Sequence, residues 1–588
     1  MNDRVAQAYA RLREADRPEV FVHLRDEADV TVEYAESLSR GGELAGVLLA
    51  VKDNVDVAGL PTTAACPGYG YVPDVDAAAV AALRAAGAVV VGKTNLDQFA
   101  TGLVGTRSPY GAVRDARRPE YVSGGSSSGS AVAVALGVVD IAIGTDTAGS
   151  GRVPAAFQGI VGIKPTVGTV ATTGVVPACA SYDCVTIFAR DLPSAERAVA
   201  IMATAPGGRP WAADVPLAAA PGASVAVPRD LPELDERWRA AFAAAVEQAR
   251  AAGFTIVEID LADFLAAARL LYDGALVAER WAAVGEFVDA ASHPRPASPG
   301  DGNQYSVCPA EGSPHQGVGL DPVVAAIVRG AARFSAVDLL RDRATLAELR
   351  ERAMDAWGDC AALLVPTAPF HPTIAQVEAD PVGVNSRLGT YTNFCNLFDL
   401  CGVAVPAGEV VESDGSTAQF GVTVLAPAGH DAVATDIAAR LTGVPRDPET
   451  PSWPEQAGAQ TFPLIVFGAH LRDQPLAGQL TALGARWAGS VSTAPEYRMT
   501  ALPTQPPKPA VVRCADGGAS LAGERWVCSP AALGRFLAAL PSPMGLGSVQ
   551  LDDGTWETGF VCGDDAAAAA RDITAAGSWR THLAASLV

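Results

Sequence analysis

Between Gly46 and Ile163, short apolar runs alternate with alanine-rich segments, and this alternation limits the fold more than any other feature of the chain. Val47-Leu-Leu-Ala-Val51 is short for a helix and has no polar face, so it predicts a strand buried on both sides. Ala77 to Ala86 predicts a helix, Ala88-Val-Val-Val91 a second strand, and Ala131 to Ala142 a short helix followed by a buried strand. Such a series builds an α/β sheet covered by helices. Further on, 234–252, 261–288 and 321–355 read as helical, 362–367 as another buried strand, and residues 1 to about 40 as a polar helical cap.

Two Gly- and Ser-rich loops flank the 131–142 segment: Ser123-Gly-Gly-Ser-Ser-Ser-Gly-Ser130 and Gly144-Thr-Asp-Thr-Ala-Gly-Ser-Gly-Arg152. Glycine lets backbone approach closely, so Thr147, Ala148, Gly149 and Ser150 can aim consecutive N–H groups at one point, as an oxyanion hole requires. Ser150 is then the candidate nucleophile. A serine hydroxyl needs a base, and none of the seven histidines is near these loops in sequence. Lys52, delivered by the buried strand 47–51, is the sharper candidate, because desolvation lowers a lysine pKa towards neutrality. The alternative is a lysine snorkelling from a strand end.

Two other motifs fail on context. Gly87-Ala-Val-Val-Val-Gly-Lys-Thr94 has the letters of a phosphate loop, yet its variable positions are the strand itself. Gly125-Ser-Ser-Ser-Gly129 has the letters of a nucleophile elbow, but Arg117-Arg-Pro-Glu-Tyr-Val122 before it reads as loop rather than strand.

Val51-Lys-Asp-Asn54, Gly124-Gly-Ser-Ser-Ser-Gly129 and Gly144-Thr-Asp-Thr-Ala-Gly-Ser150, in this order and spacing, resemble the amidase signature family. The glycine loop departs slightly, reading Ser-Ser-Ser-Gly where many members have Ser-Ser-Gly-Gly. The resemblance implies a large mixed twisted sheet covered by helices, with Ser150 as acyl-enzyme nucleophile, Ser126 as a bridging serine after a cis peptide, and Lys52 as base. Leu271-Tyr-Asp-Gly-Ala-Leu-Val-Ala-Glu-Arg280, Leu388-Gly-Thr-Tyr-Thr-Asn-Phe-Cys-Asn396 and Gly402 to Gly408 narrow it to the allophanate hydrolase branch. There Tyr272 and Arg280, two turns apart on the predicted helix, hold a substrate carboxylate. The reaction implied is hydrolysis of allophanate to ammonia and carbon dioxide, in urea degradation, without metal or cofactor. The 292–319 stretch, rich in Pro, Gly and Ser, departs from the branch and leaves another small acidic amide such as malonamate open.

A proline-rich segment, 444–462, reads as a linker and divides the chain into domains at 1–443 and 463–588. Gly468-Ala-His-Leu471, Thr493 to Arg498, Gly534-Arg-Phe536 and Gly577-Ser-Trp-Arg580 resemble the C-terminal domain of the same branch, which implies a small α+β unit similar to γ-glutamyl cyclotransferases. In that unit His470 is a candidate participant in decarboxylating the first product; docking of a carboxylase or dimerisation is the alternative role. A functional link to a urea carboxylase and a homodimer are the partners expected. The net charge of −22 argues against nucleic acid or an anionic membrane as partner. Ten dispersed cysteines, no signal-like N-terminus and no apolar run of membrane length predict a soluble cytoplasmic enzyme with reduced thiols.

Overall fold

The computed structural model describes residues 3–292 and 319–586. By packing the chain forms two units, one of residues 1–209 and 224–444, the other of residues 210–223 and 445–588. The first is built on an eleven-stranded mixed sheet. Its strands are β1 (Phe21–Leu24), β2 (Leu48–Lys52), β3 (Val89–Thr94), β4 (Ile141–Asp146), β5 (Val161–Lys164), β6 (Cys184–Ala189), β7 (Ser224–Pro228), β8 (Thr255–Ile259), β9 (Ala362–Pro366), β10 (Leu400–Val411) and β11 (Thr417–Pro427). They lie in the order β1-β3-β2-β4-β6-β5-β10-β11-β9-β7-β8. β2 is parallel to both β3 and β4, whereas β4, β6, β5, β10, β11 and β9 run antiparallel to one another in turn. Every residue of β2, β3 and β4 is buried. Their apolar side chains pack with the helix Ser128–Ala135, whose Ala131, Val132, Ala133 and Val134 are fully buried, into one core. That helix and that core hold the ends of β2 and β4 in place.

The phosphate-loop lookalike is accordingly β3, with the helix Ala78–Ala85 before it. Three features differ from the sequence reading. The N-terminal cap contributes β1, an antiparallel edge strand on β3 that is only four residues long and too brief to show a period. The helix expected over 261–288 is two helices, Ala262–Asp273 and Ala278–Ser292, with a short 3₁₀ turn between them. Gly274 is extended (φ −98°, ψ −177°) and Asp342 accepts from the Ala275 N–H at 2.5 Å, so a carboxylate replaces the helical acceptor at the break. Residues 210–223, which lie in sequence inside the 1–443 span, pack with the second unit through Trp211, Val215 and Leu217.

The second unit has a five-stranded and a three-stranded sheet. The larger is ordered β13-β16-β12-β18-β17, from Arg486–Ser492, Ala522–Cys528, Phe462–Val466, Trp556–Cys562 and Met544–Gln550. The smaller is β15-β14-β19, from Lys508–Arg513, Tyr497–Leu502 and Arg571–Asp572. Its core gathers Leu464, Ile465, Val466, Trp526, Phe536 and Trp579. Among the described residues no helix is long and apolar enough to cross a membrane, and nine cysteines are unbridged.

A glycine on β5 sets how closely the turn after β4 can lie against the sheet. A Cβ added at Gly162 would stand 2.2 Å from the backbone oxygen of Gly151. Gly162→Ala is expected to push that turn away and to lower stability by about 1–3 kcal/mol, the usual cost of overpacking, read as a lower thermal unfolding midpoint together with slower turnover.

Candidate active site

Parallel pairing of β2 with β4 brings their C-terminal ends together, where α/β sheets place ligands. Lys52, the last residue of β2, is fully buried, with Nζ 2.8 Å from the Ser126 hydroxyl and 2.7 Å from that of Thr145, although these lie 74 and 93 positions away in sequence. Burial pulls the Lys52 amine down to about 7. Asp97, Asp146 and Asp183 oppose that fall, and Arg280 adds to it. A lysine so poised exchanges its proton near neutral pH, which a snorkelling side chain does not.

The peptide between Gly125 and Ser126 is cis. The next residue joins the two loops: Ser127 Oγ donates to the Thr145 carbonyl at 3.0 Å and accepts from the Thr145 N–H at 3.2 Å. Ser150 is 3% exposed, on a turn organised by one carboxylate. Asp146 accepts from the N–H groups of Gly149 and Gly151, each at 2.9 Å, and from Nε and Nη2 of Arg152, also at 2.9 Å. Arg152 continues to the Thr392 carbonyl and Asn396 Oδ1, and Asn396 Nδ2 returns to the Asp146 carbonyl. This corrects the expected set of four oxyanion donors. The Gly149 N–H points at Asp146 and is committed there, so Thr147, Ala148 and Ser150 are the remaining candidates. The Thr147 hydroxyl is itself bound by Asp183, whose carboxylate also accepts from the Ala178 and Cys179 N–H groups. Ser126 and Ser150 make no direct hydrogen bond, and catalytic hydrogen bonds commonly tighten only in the substrate complex.

Arg280 is 1% exposed. Its Nη1 donates to the Thr101 hydroxyl at 2.9 Å and the Ala100 carbonyl at 3.4 Å; Nη2 is 3.5 Å from the Tyr272 hydroxyl; Nε is buried with no partner among the described residues. Among the described residues no carboxylate lies within ion-pair distance of this guanidinium. A buried cation matched only by neutral acceptors is costly unless an anion joins it. Tyr272 and Arg280 meet across the helix break, not along one helical face, with the guanidinium 5.6 Å from the ring centroid. The 292–319 stretch expected to reshape this pocket lies, but for its end residues, outside the described residues.

In the second unit His470 follows β12 and borders a cavity of about 260 Å³ together with Gln479, Gln505, Lys508, Phe536 and Phe560. Its Nε2 is 2.9 Å from Gln479 Oε1, and its ring stacks on Phe560 at 5.0 Å and meets Phe536 edge-on at 5.1 Å. Burial holds the imidazole pKa below its ordinary value, the Gln479 hydrogen bond opposes this, and Lys508 adds to it, so the ring is neutral at neutral pH. Sequence reading missed Thr145, Asp146 with Arg152 and Asn396, Asp183 and Thr101. The motif strings contained several of them, but nothing in the strings says which side chains face the serines and which brace them.

The amidase family matches residues 7–434, and the allophanate hydrolase C-terminal domain matches residues 462–584. A urea amidolyase of Saccharomyces cerevisiae is 40% identical over 92% of this chain, which spans only 30% of that relative's length. Among solved structures, the allophanate hydrolase of Kluyveromyces lactis superposes with a TM-score of 0.84 at 35% identity, covering 99% of this chain and 96% of that one. The urea amidolyase of the same yeast superposes with the same score and identity, over 36% of its own length. With one family model matched over residues 7–434, a second over 462–584 and an allophanate hydrolase superposed over 99% of its length, the chain belongs to the amidase family, in the allophanate hydrolase branch.

Proposed function

We propose that this chain hydrolyses allophanate through a serine acyl-enzyme. The observation that carries the chemistry is the fully buried Lys52 amine, 2.8 Å from Ser126 and poised near pH 7. Neutral Lys52 has one lone pair and two N–H bonds, so it can take the Ser126 proton while still donating to Thr145. Ser126 in turn takes the proton of Ser150 as that oxygen attacks the terminal carbonyl of the substrate. The tetrahedral oxyanion is met by N–H groups of Thr147, Ala148 and Ser150, each worth on the order of 3 kcal/mol. The collapsing intermediate expels ammonia, protonated back through the relay, and water then releases a carboxylated carbamate. Loss of carbon dioxide from that product leaves carbamate, which falls to ammonia and a second carbon dioxide.

The substrate assignment rests on Arg280. A planar guanidinium with a free buried Nε beside the Tyr272 hydroxyl fits a carboxylate. Malonamate shares that carboxylate and is the second reading. With a catalytic domain over 1–443 and a C-terminal domain over 463–588, a part for His470 in the second step is supported by its cavity, where the neutral ring, a lysine and a glutamine leave room for a small dianion. A functional link to a urea carboxylase is supported by the likeness to urea amidolyases about three times as long.

Ser150→Ala is expected to lower ammonia release from allophanate at least about 10⁴-fold; residual activity near wild type would remove Ser150 from the mechanism. Wild-type kcat should fall as pH drops below about 7, where Lys52 becomes protonated, and level off above it; a flat profile through that range would exclude Lys52 as base. Arg280→Met, which keeps the buried stem, should raise KM for allophanate by about ten- to a hundredfold and leave simple aliphatic amides unaffected well above the acid limb, which moves to higher pH once Arg280 no longer disfavours protonated Lys52. Preference for malonamate over allophanate in the wild type would favour the second reading. His470→Gln should leave the first ammonia unchanged and slow carbon dioxide release; an unaltered product ratio would limit the second unit to docking or dimerisation.

A further inference from the structure

Asp97 lies just beyond β3, is fully buried and belongs to none of the expected catalytic groups. Its carboxylate accepts from three backbone N–H groups: Val104 at 3.1 Å and Gly105 at 3.0 Å on Oδ2, and Arg107 at 3.0 Å on Oδ1. Those bonds close the 97–107 segment into a loop around the side chain. Two glycines make room for it. A Cβ at Gly125 would stand 2.1 Å from Asp97 Oδ2, and one at Gly102 would stand 2.5 Å from it.

The loop touches both halves of the site. On one side the Asp97 N–H donates to the Ser126 carbonyl at 3.1 Å, and the carboxylate fills the space beside Gly125, so the 125–126 peptide lies against Asp97. On the other side the same loop presents the Ala100 carbonyl and the Thr101 hydroxyl to Arg280, with Phe99 and Ala100 at φ +51° and +53°. Arg107 Nη1 fixes the Thr101 carbonyl at 2.8 Å, and the Thr101 hydroxyl donates to the Phe99 carbonyl at 3.2 Å. Positive φ at two adjacent non-glycine residues persists only where surrounding bonds over-determine it, and here those bonds converge on Asp97 and Arg107.

We propose that Asp97 is a positioning residue that holds the Ser126 loop and the Arg280 guanidinium in one fixed relation, so that the scissile carbonyl meets the serines when the carboxylate is bound. This rests on the roles given above to Lys52, Ser126 and Arg280. The charge of Asp97 acts as well: burial raises the Asp97 pKa, while Arg107 and the three loop N–H groups oppose that rise and favour the carboxylate. The charged groups that Lys52 senses are Asp97, Asp146 and Asp183, which favour its protonated form, and Arg280, which disfavours it; Asp97 is foremost among the carboxylates. An isosteric amide would remove one negative charge and also turn an N–H towards the loop's N–H donors.

Wild type, Asp97→Asn and Thr101→Val are assayed for ammonia release from allophanate across the neutral pH range, with circular dichroism to verify folding. For Asp97→Asn the expected result is a kcat lower by on the order of a hundredfold, the usual cost of losing alignment, a raised KM, and an acid limb moved to lower pH. Thr101→Val should raise KM and leave the limb where it is. A folded Asp97→Asn enzyme with its limb and KM at wild-type values would overturn the proposal, since a purely structural loss moves neither. Should Asp97→Asn not fold, Gly102→Ala displaces the carboxylate without changing its charge. At least a tenfold loss of kcat/KM is expected from that variant, and an unchanged kcat/KM overturns the proposal. A wild type without an acid limb would instead sink the reading of Lys52, a failure visible without any variant.

Discussion

The turn that carries Ser150 depends on a single buried ion pair. Asp146 and Arg152 are both fully buried and meet through two 2.9 Å hydrogen bonds. Burial alone would raise the Asp146 pKa, but Arg152, Lys164 and the Gly151 N–H together outweigh it and hold the carboxylate below its ordinary range. A pair of this kind adds little net stability, because desolvation of both ions offsets their attraction. Its contribution is directional. One carboxylate dictates the orientation of two N–H groups either side of Ser150, and one guanidinium carries that constraint across to the Thr392 to Asn396 segment. Gly149, at φ +129° and with Thr392 packed where a Cβ would be, is the residue that lets the chain follow it.

Lys52 illustrates the opposite use of burial. It has no carboxylate within ion-pair distance among the described residues, only two hydroxyls, so the charge has no close counter-ion and neutrality becomes accessible near pH 7. Lys93, one strand away, is equally buried but has Asp53 at 3.4 Å together with the Pro61 carbonyl and the Thr62 hydroxyl. Two buried lysines on neighbouring strands therefore differ in partner chemistry, and only the one without a counter-ion faces a serine.

Much of this was legible before any coordinates. The apolar runs that became β2, β3 and β4 could be read because strands buried on both faces leave no polar period to confuse them. The two serine loops stood out by composition, and the phosphate-loop lookalike could be dismissed because its own valines were the strand. Other features were hidden for physical reasons. The 261–288 stretch keeps a helical pattern through Gly274, since the break is made by Asp342 from a distant helix. Gly149 looked like any oxyanion donor until Asp146 was found to occupy it. Thr145 stands in a motif string and Asp97 and Asp183 in none, and each bears on the site through a contact between segments distant in sequence, with Lys52, Ser126 and Thr147 respectively, that no local pattern reports. Arg280 was legible only through the family resemblance, because burial of a cation is decided by its neighbours and not by its own helix.

The path of residues 210–223 carries a consequence for how this protein can be divided. Trp211 packs against Trp453 at 5.2 Å, the Leu217 N–H bonds the Gly484 carbonyl, and Val215 shares a cluster with Ala488 and Val527. The second unit is thus assembled from two separate stretches of chain, one of them looped out from the middle of the amidase fold. A polypeptide ended at Val444 would keep that excursion and leave its tryptophan and aliphatic side chains facing water. A polypeptide begun at Pro445 would lack a piece of its own core. Recombination or engineering that treats the boundary as a single cut yields two damaged fragments, and a clean exchange of the unit requires transplanting the internal segment along with the tail.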